Sequence, residues 1–108
     1  MPRDERCGWL VPERLCERWT LCLGKSAEIL PRLLQEVQTI DLFVHDSEHS
    51  FQNQLFEFRA AFTHLSANGI LFASDINWSR AFDVFTKEAR ADSRRFFVDY
   101  SLGLVVRN

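Results

Sequence analysis

The chain has 108 residues, of which 46% are hydrophobic and 26% charged, and a formal net charge of −2. A chain of this length forms one domain, 1–108, with no room for a second. No apolar run approaches the roughly 18 residues that a membrane-crossing helix needs, and Lys and Arg are scattered rather than striped, so neither a membrane nor a nucleic acid is implied as a partner.

The charged start Met-Pro-Arg-Asp-Glu-Arg has no apolar stretch behind it, so a cytoplasmic location is expected. Cys7, Cys16 and Cys22 are odd in number and show no C-x-x-C spacing, which argues for reduced, half-buried thiols rather than disulfides or a zinc knuckle. Ten Phe and three Trp are more aromatic mass than so short a chain needs for its own core. The surplus suits an interface.

Pro12 and Glu13 fit a first helical turn, so Val11 to Glu17 reads as a short helix. Trp19-Thr-Leu-Cys-Leu23 reads as a strand closed by Gly24, and Ser26 is placed to cap a helix carrying Ile29, Leu30, Leu33, Leu34 and Val37. Pro31 conflicts with that cap, since it deletes a backbone hydrogen bond, so the regular helix is expected only from Pro31. Ile40 to His45, apolar except for Asp41, reads as a strand covered on both faces. Phe51, Leu55, Phe58, Phe62 and Leu65 recur at spacings of four and three, giving a helix that stops near Asn68-Gly69.

Ile70 to Ala73 reads as a further buried strand, and Ser79 caps a helix carrying Ala81, Phe82, Phe85 and Ala89. Arg95–Tyr100 and Leu104–Arg107 read as a hairpin. The expected fold class is therefore α/β, in the order β-α-β-α-β-α-β-β, with three parallel strands and a carboxy-terminal antiparallel hairpin.

In open α/β sheets ligands bind outside the carboxyl ends of the strands. Those positions hold Lys25 and Ser26, then Asp46 to Ser50, then Ser74, Asp75 and Asn77. Asp46 and Asp75 could serve as hard oxygen ligands for a divalent metal such as Mg2+, with His49 as a nearby base. Plainer roles stand beside these. Either aspartate could cap the next helix, His49 could face solvent on a first helical turn, His45 fits a packed and hydrogen-bonded histidine, and His64 could complement a helix carboxyl end.

Three collinear stretches carry a resemblance: Ile40-Asp-Leu-Phe-Val-His-Asp-Ser-Glu-His-Ser-Phe51, Leu65-Ser-Ala-Asn-Gly-Ile-Leu-Phe-Ala-Ser-Asp-Ile76 and Trp78-Ser-Arg-Ala-Phe82. Together they resemble the fourth and fifth strand regions of class I S-adenosylmethionine-dependent methyltransferases, nearest the small-molecule O-methyltransferase-like group with a D-x-x-H motif. Gly24 to Pro31 is similar to that family's third-strand exit. The resemblance implies a partial Rossmann-like sheet in which Asp46 and His49 are catalytic, His49 as general base for a small-molecule hydroxyl. It implies Lys25 and Ser26 beside the S-adenosylmethionine cofactor, and a metal, where relatives use one, between Asp46 and Asp75.

The glycines are Gly8, Gly24, Gly69 and Gly103, so the family's G-x-G loop has no counterpart, and Lys25 stands where relatives have Asp near the adenine. Two main readings follow. One is a methyltransferase impaired as an isolated chain; the other is a non-catalytic homodimeric module, because the family's first strand would lie beside Ile40 to His45 and its absence leaves an open sheet edge. A stand-alone metal-binding protein using His45, Asp46, His49 and Asp75 is a third.

Overall fold

A computed structural model describes residues 10–46 and 50–108. Residues 13–18 form a short 3₁₀ helix entered from Pro12, whose carbonyl accepts from Leu15 N at 2.9 Å. None of its side chains is buried. The stretch Trp19 to Leu23, expected as a strand, is not one. Trp19 is extended, with φ −121° and ψ 131°, but among the described residues no strand lies alongside, and an extended segment without a ladder leaves its backbone groups to water. Cys16 and Cys22 are exposed free thiols rather than half-buried ones, and Cys7 lies outside the described residues.

Helix α1 spans Ser26–Val37 with Pro31 inside it, so it starts five residues earlier than expected. Lys25 rather than Ser26 is the N-cap, and its carbonyl accepts from Glu28 N and Ile29 N, each at 3.0 Å. Those bonds close the first turn before the missing Pro31 donor matters. Leu34 carries its buried stripe. Strand β1 is Ile40–His45 and helix α2 is Phe51–Thr63. The α2 cap is Ser50, whose Oγ accepts from Asn53 N at 3.3 Å, so Asp46 does not cap this helix.

Strand β2, Leu65–Ala73, starts where helix was expected to continue. Leu65 is in phase with the apolar stripe of α2 but is buried from the strand instead. Asn68 does take the left-handed conformation, φ 66°, though not as a helix stop. It lies in an irregularity: β1 advances from Ile40 to Leu42 while β2 advances from Leu65 to Ile70. Gly69 is needed there, because a Cβ would sit 2.8 Å from the Ser66 carbonyl oxygen. Helix α3 is Ala81–Glu88; its N-cap is Arg80 rather than the expected Ser79, whose Oγ accepts from Ala81 N at 3.1 Å from one residue further out. Strands β3, Ser93–Phe97, and β4, Gly103–Arg107, form the expected antiparallel hairpin, the first beginning and ending earlier than Arg95–Tyr100.

The four strands form one mixed sheet in the order β1-β2-β4-β3. β1 and β2 are the single parallel pair, and β4 runs antiparallel to both β2 and β3. The expected three parallel strands are thus reduced to two, because Trp19 to Leu23 does not join. α2 and α3 pack on one face, over Leu71, Ala73 and Val105. Their contact is aromatic: Phe58 meets Phe82 and Phe85 at ring separations of 5.8 and 5.5 Å, and Phe62 meets Phe85 at 5.5 Å. Arg107 ties the last turn of α2 to the sheet, its Nη1 donating to Phe62 O at 3.0 Å and Leu65 O at 2.8 Å.

Strand β1 is covered on one face, not two. Phe43 and His45 turn toward α2, whereas Leu42 and Val44 are exposed. Among the described residues no helix is long and apolar enough to cross a membrane.

Candidate functional site

The carboxyl ends of β1 and β2 lie side by side, so the acids that follow them share one rim of the sheet. Ser74 N donates to His45 O at 3.3 Å, which carries the β1–β2 pairing one residue past the strand end. Ser74 Oγ then lies 3.0 Å from Asp46 Oδ1 and holds that exposed carboxylate at the rim. Asp75 follows in the left-handed conformation, φ 52° and ψ 37°, as the residue before the short helix Ile76–Trp78. Aspartate tolerates that conformation better than most residues. Its side chain does not cap the short helix, so the capping role weighed from sequence is absent for both Asp46 and Asp75.

Beneath the rim lies a buried polar line. His45 is 2% exposed and Glu57 3%. His45 Nε2 stands 2.5 Å from Glu57 Oε1. That oxygen also accepts from Asn53 Nδ2 at 3.2 Å, and Asn53 Oδ1 in turn accepts from Ser26 Oγ at 3.2 Å. The line runs from the start of α1, across α2, to the last residue of β1. It fixes the residue preceding Asp46, and the ring of His45 packs 4.9 Å from that of Phe58. His45 therefore has the packed, hydrogen-bonded role weighed for it and is a positioning residue. Gln54, fully buried one turn before Phe58, accepts from Ser79 Oγ and links α2 to the loop after the rim.

A signal for Glu57 and Gln54 was present. Both lie on the α2 face that also buries Leu55, Phe58 and Ala61, and polar residues on an apolar stripe are expected to be hydrogen-bonded inside.

The other site expectations fare differently. His49, proposed as base, lies outside the described residues, as do Ser47 and Glu48. His64 ends α2 as its C-cap, its Nδ1 2.7 Å from Gln38 O. Among the described residues no three His, Cys, Asp or Glu side chains converge to hold a metal. Asp46 and Asp75 would be the donors for one, and their hard oxygens suit Mg2+, which commonly uses one or two carboxylates and keeps several waters.

Of the two residues expected beside the cofactor, Lys25 departs from what the family's adenine end needs. Recognition of ribose or adenine amino groups requires an acceptor, and Lys25 can only donate. Ser26 Oγ donates to Asn53 Oδ1 at 3.2 Å, which uses its one donor and leaves its oxygen able to accept. Gly24, at φ +141°, makes the tight turn into α1, where a Cβ would meet Ile29 at 2.7 Å, rather than opening a cradle.

Comparison with known proteins gives one family: the model of a methyltransferase domain matches residues 2–76, well over half of the chain. That span contains α1, β1, α2, β2 and the rim through Asp75. No curated protein matches the chain.

Proposed function

We propose that this chain, which belongs to the methyltransferase domain family, keeps the substrate-facing end of a methyltransferase site and lacks a working cofactor-facing end, so that the isolated chain transfers methyl groups poorly or not at all. The contrast between two neighbouring places supports this reading. Asp46 is held at the rim by Ser74, beside Asp75 and above a buried His45–Glu57 support, whereas Lys25 offers only a donor where the cofactor would need an acceptor.

The acceptor in this reading is a hydroxyl on a small molecule. Asp46 orients the hydroxyl, and His49, three residues further on, takes its proton as the oxygen becomes a nucleophile. A divalent ion held by Asp46 and Asp75, when bound, would stabilise the resulting oxyanion as a Lewis acid. Ser74 keeps Asp46 from swinging away, and the His45–Glu57 pair keeps the end of β1 seated on α2.

Calorimetric titration with S-adenosylmethionine, with and without Mg2+, combined with a labelled-methyl transfer assay on small phenols and alcohols, tests the reading. No heat at millimolar cofactor and no transfer are expected. Saturable binding below that range, with turnover abolished by Asp46→Asn, would show a competent cofactor site and overturn the claim of impairment. The bare side of the sheet favours a second reading, a non-catalytic interaction module, for which binding and transfer would both be absent even when a complementary methyltransferase half is added.

A further inference from the structure

We infer that Asn68 and Gly69 form a self-modifying site, at which Asn68 loses its side-chain amide to become aspartate or isoaspartate, and that Arg94 promotes the step. The inference rests on the β1–β2 irregularity and is independent of either functional reading.

The asparagines of the chain are Asn53, Asn68, Asn77 and Asn108, and only Asn68 is followed by glycine. The backbone nitrogen that attacks an asparagine side chain is that of the next residue, and any side chain on that residue crowds the approach. Gly69 cannot carry one, because a Cβ there would lie 2.8 Å from Ser66 O and 3.1 Å from Ser66 N. Asn68 in turn stands at φ 66°, a conformation that glycine, asparagine and aspartate tolerate best. The turn therefore demands the two residue types whose succession is most open to attack.

The surroundings leave this pair free to react. Residues 66–69 stand outside both neighbouring ladders, since pairing with β1 passes from Leu65 directly to Ile70 and pairing with β4 begins at Ile70. Within a ladder, bringing a backbone nitrogen onto the preceding side chain would break hydrogen bonds. Here no pairing opposes it. Asn68 is exposed, so water and hydroxide reach it. The left-handed conformation is also one that asparagine leaves readily, because its own preferences lie elsewhere.

The step balances with water alone. Hydroxide takes the Gly69 amide proton, the nitrogen bonds to Asn68 Cγ, and the electron pair of the Cγ–Oδ1 double bond moves onto Oδ1. When that pair returns, the Cγ–Nδ2 bond breaks. Nδ2 leaves as ammonia, taking its third hydrogen from water and so restoring the hydroxide. Water then opens the cyclic imide at one of its two carbonyls, giving aspartate, or isoaspartate with the main chain routed through Cγ.

Arg94 Nη2 lies 3.5 Å from Asn68 Oδ1, the atom on which negative charge appears. A guanidinium there stabilises the charged intermediate more than the neutral amide. Both side chains are exposed, so the contact is worth about three- to fivefold in rate, far less than a buried oxyanion site supplies. The product carboxylate faces the same guanidinium. Isoaspartate lengthens the main chain only where β2 already holds its surplus residues, so the pairing from Leu42 and Ile70 onward is kept.

Mass spectrometry of digests tests this on the full chain, Arg94→Gln, Arg94→Lys and Asn68→Gly, each held at mildly alkaline pH beside a synthetic peptide of residues 65–71. The folded chain is expected to gain the mass of amide-to-acid exchange at Asn68 and at no other asparagine, at a rate comparable with the peptide's. Asn68→Gly should abolish the gain, Arg94→Gln slow it about three- to fivefold, and Arg94→Lys restore most of the rate. If Arg94→Gln does not fold, salt decides instead: screening should slow the folded wild-type chain and leave the peptide unchanged. A folded chain still unmodified when half of the peptide has reacted overturns the inference. An Arg94→Gln chain that reacts as fast as the wild type, or faster because the guanidinium had held the amide still, overturns the part given to Arg94.

Discussion

Replacing Glu57 by Leu removes one carboxylate oxygen that serves two donors, His45 Nε2 and Asn53 Nδ2. His45 is buried and Asn53 half-buried. Depriving such a donor of its acceptor costs about 1–3 kcal/mol each, and the buried leucine returns about 1–2 kcal/mol, so the net loss should be about 3 kcal/mol. That is a large share of the 5–15 kcal/mol typical of a domain this size and corresponds to a fall in Tm of roughly 10–20 °C. Urea unfolding followed by far-UV circular dichroism reads it directly. Glu57→Gln, which keeps an acceptor oxygen, should lose less than half as much. The double variant His45→Phe, Glu57→Leu should recover most of the loss, because Phe43 and Phe58 surround the ring with apolar surface and paired removal of buried polar partners is often nearly neutral. A Glu57→Leu loss under about 1 kcal/mol, or a double variant no better than the single, would refute the idea that this pair seats the end of β1.

The aromatic layer makes Phe58→Ala costly: fully buried against His45, Phe82 and Phe85, its truncation should cost about 3–5 kcal/mol in chemical denaturation, and a loss below ~2 kcal/mol would mean that the neighbours collapse into the space. Arg107→Met removes the guanidinium that lies over the Phe62 ring and with it the bonds to Phe62 O and Leu65 O, so amide exchange in the last turn of α2 should quicken and stability fall by about 1.5–3 kcal/mol. The hairpin turn should be acid-sensitive. Bonds from Ser101 N, Ser101 Oγ and Leu102 N hold the Asp99 carboxyl below its usual value of 3.8. A depressed native pKa stabilises the fold fully above the ordinary aspartate range and is lost as pH falls through the lowered value. Chemical-shift titration of Asp99 should therefore give a midpoint below 3.8, and Asp99→Asn should lower Tm at neutral pH but not at strongly acid pH.

Elements specified by local pattern were legible in the sequence. The stripe Phe51, Leu55, Phe58 and Phe62 gives α2, Ala81, Phe82 and Phe85 give α3, and Leu104 to Arg107 gives the returning strand, which the structure extends back to Gly103. Errors arose where two structures share one local signal. Leu65 continues the helical phase yet also begins a buried strand, and Asn68-Gly69 serves a helix stop as readily as the β1–β2 irregularity. The pattern of Trp19 to Leu23 favours a strand, but a strand exists only beside another, and none lies there among the described residues.

The rim acids were visible because the end of an apolar run can be read from sequence. Their support was not, because His45 and Glu57 are twelve residues apart and meet only once α2 folds back on β1. Likewise, an apolar run such as Ile40 to His45 states that both faces are water-averse; it does not state that both are covered within one chain.

Residue-resolved amide shifts under separate titration with S-adenosylmethionine and Mg2+, each to millimolar concentration, test the central claim most directly. The account predicts that the amides of Gly24, Lys25 and Ser26 stay unmoved by the cofactor while those of Asp46, Ser74 and Asp75 shift with Mg2+. Saturable movement at Gly24 to Ser26 on adding the cofactor, with the rim acids silent to Mg2+, would contradict it.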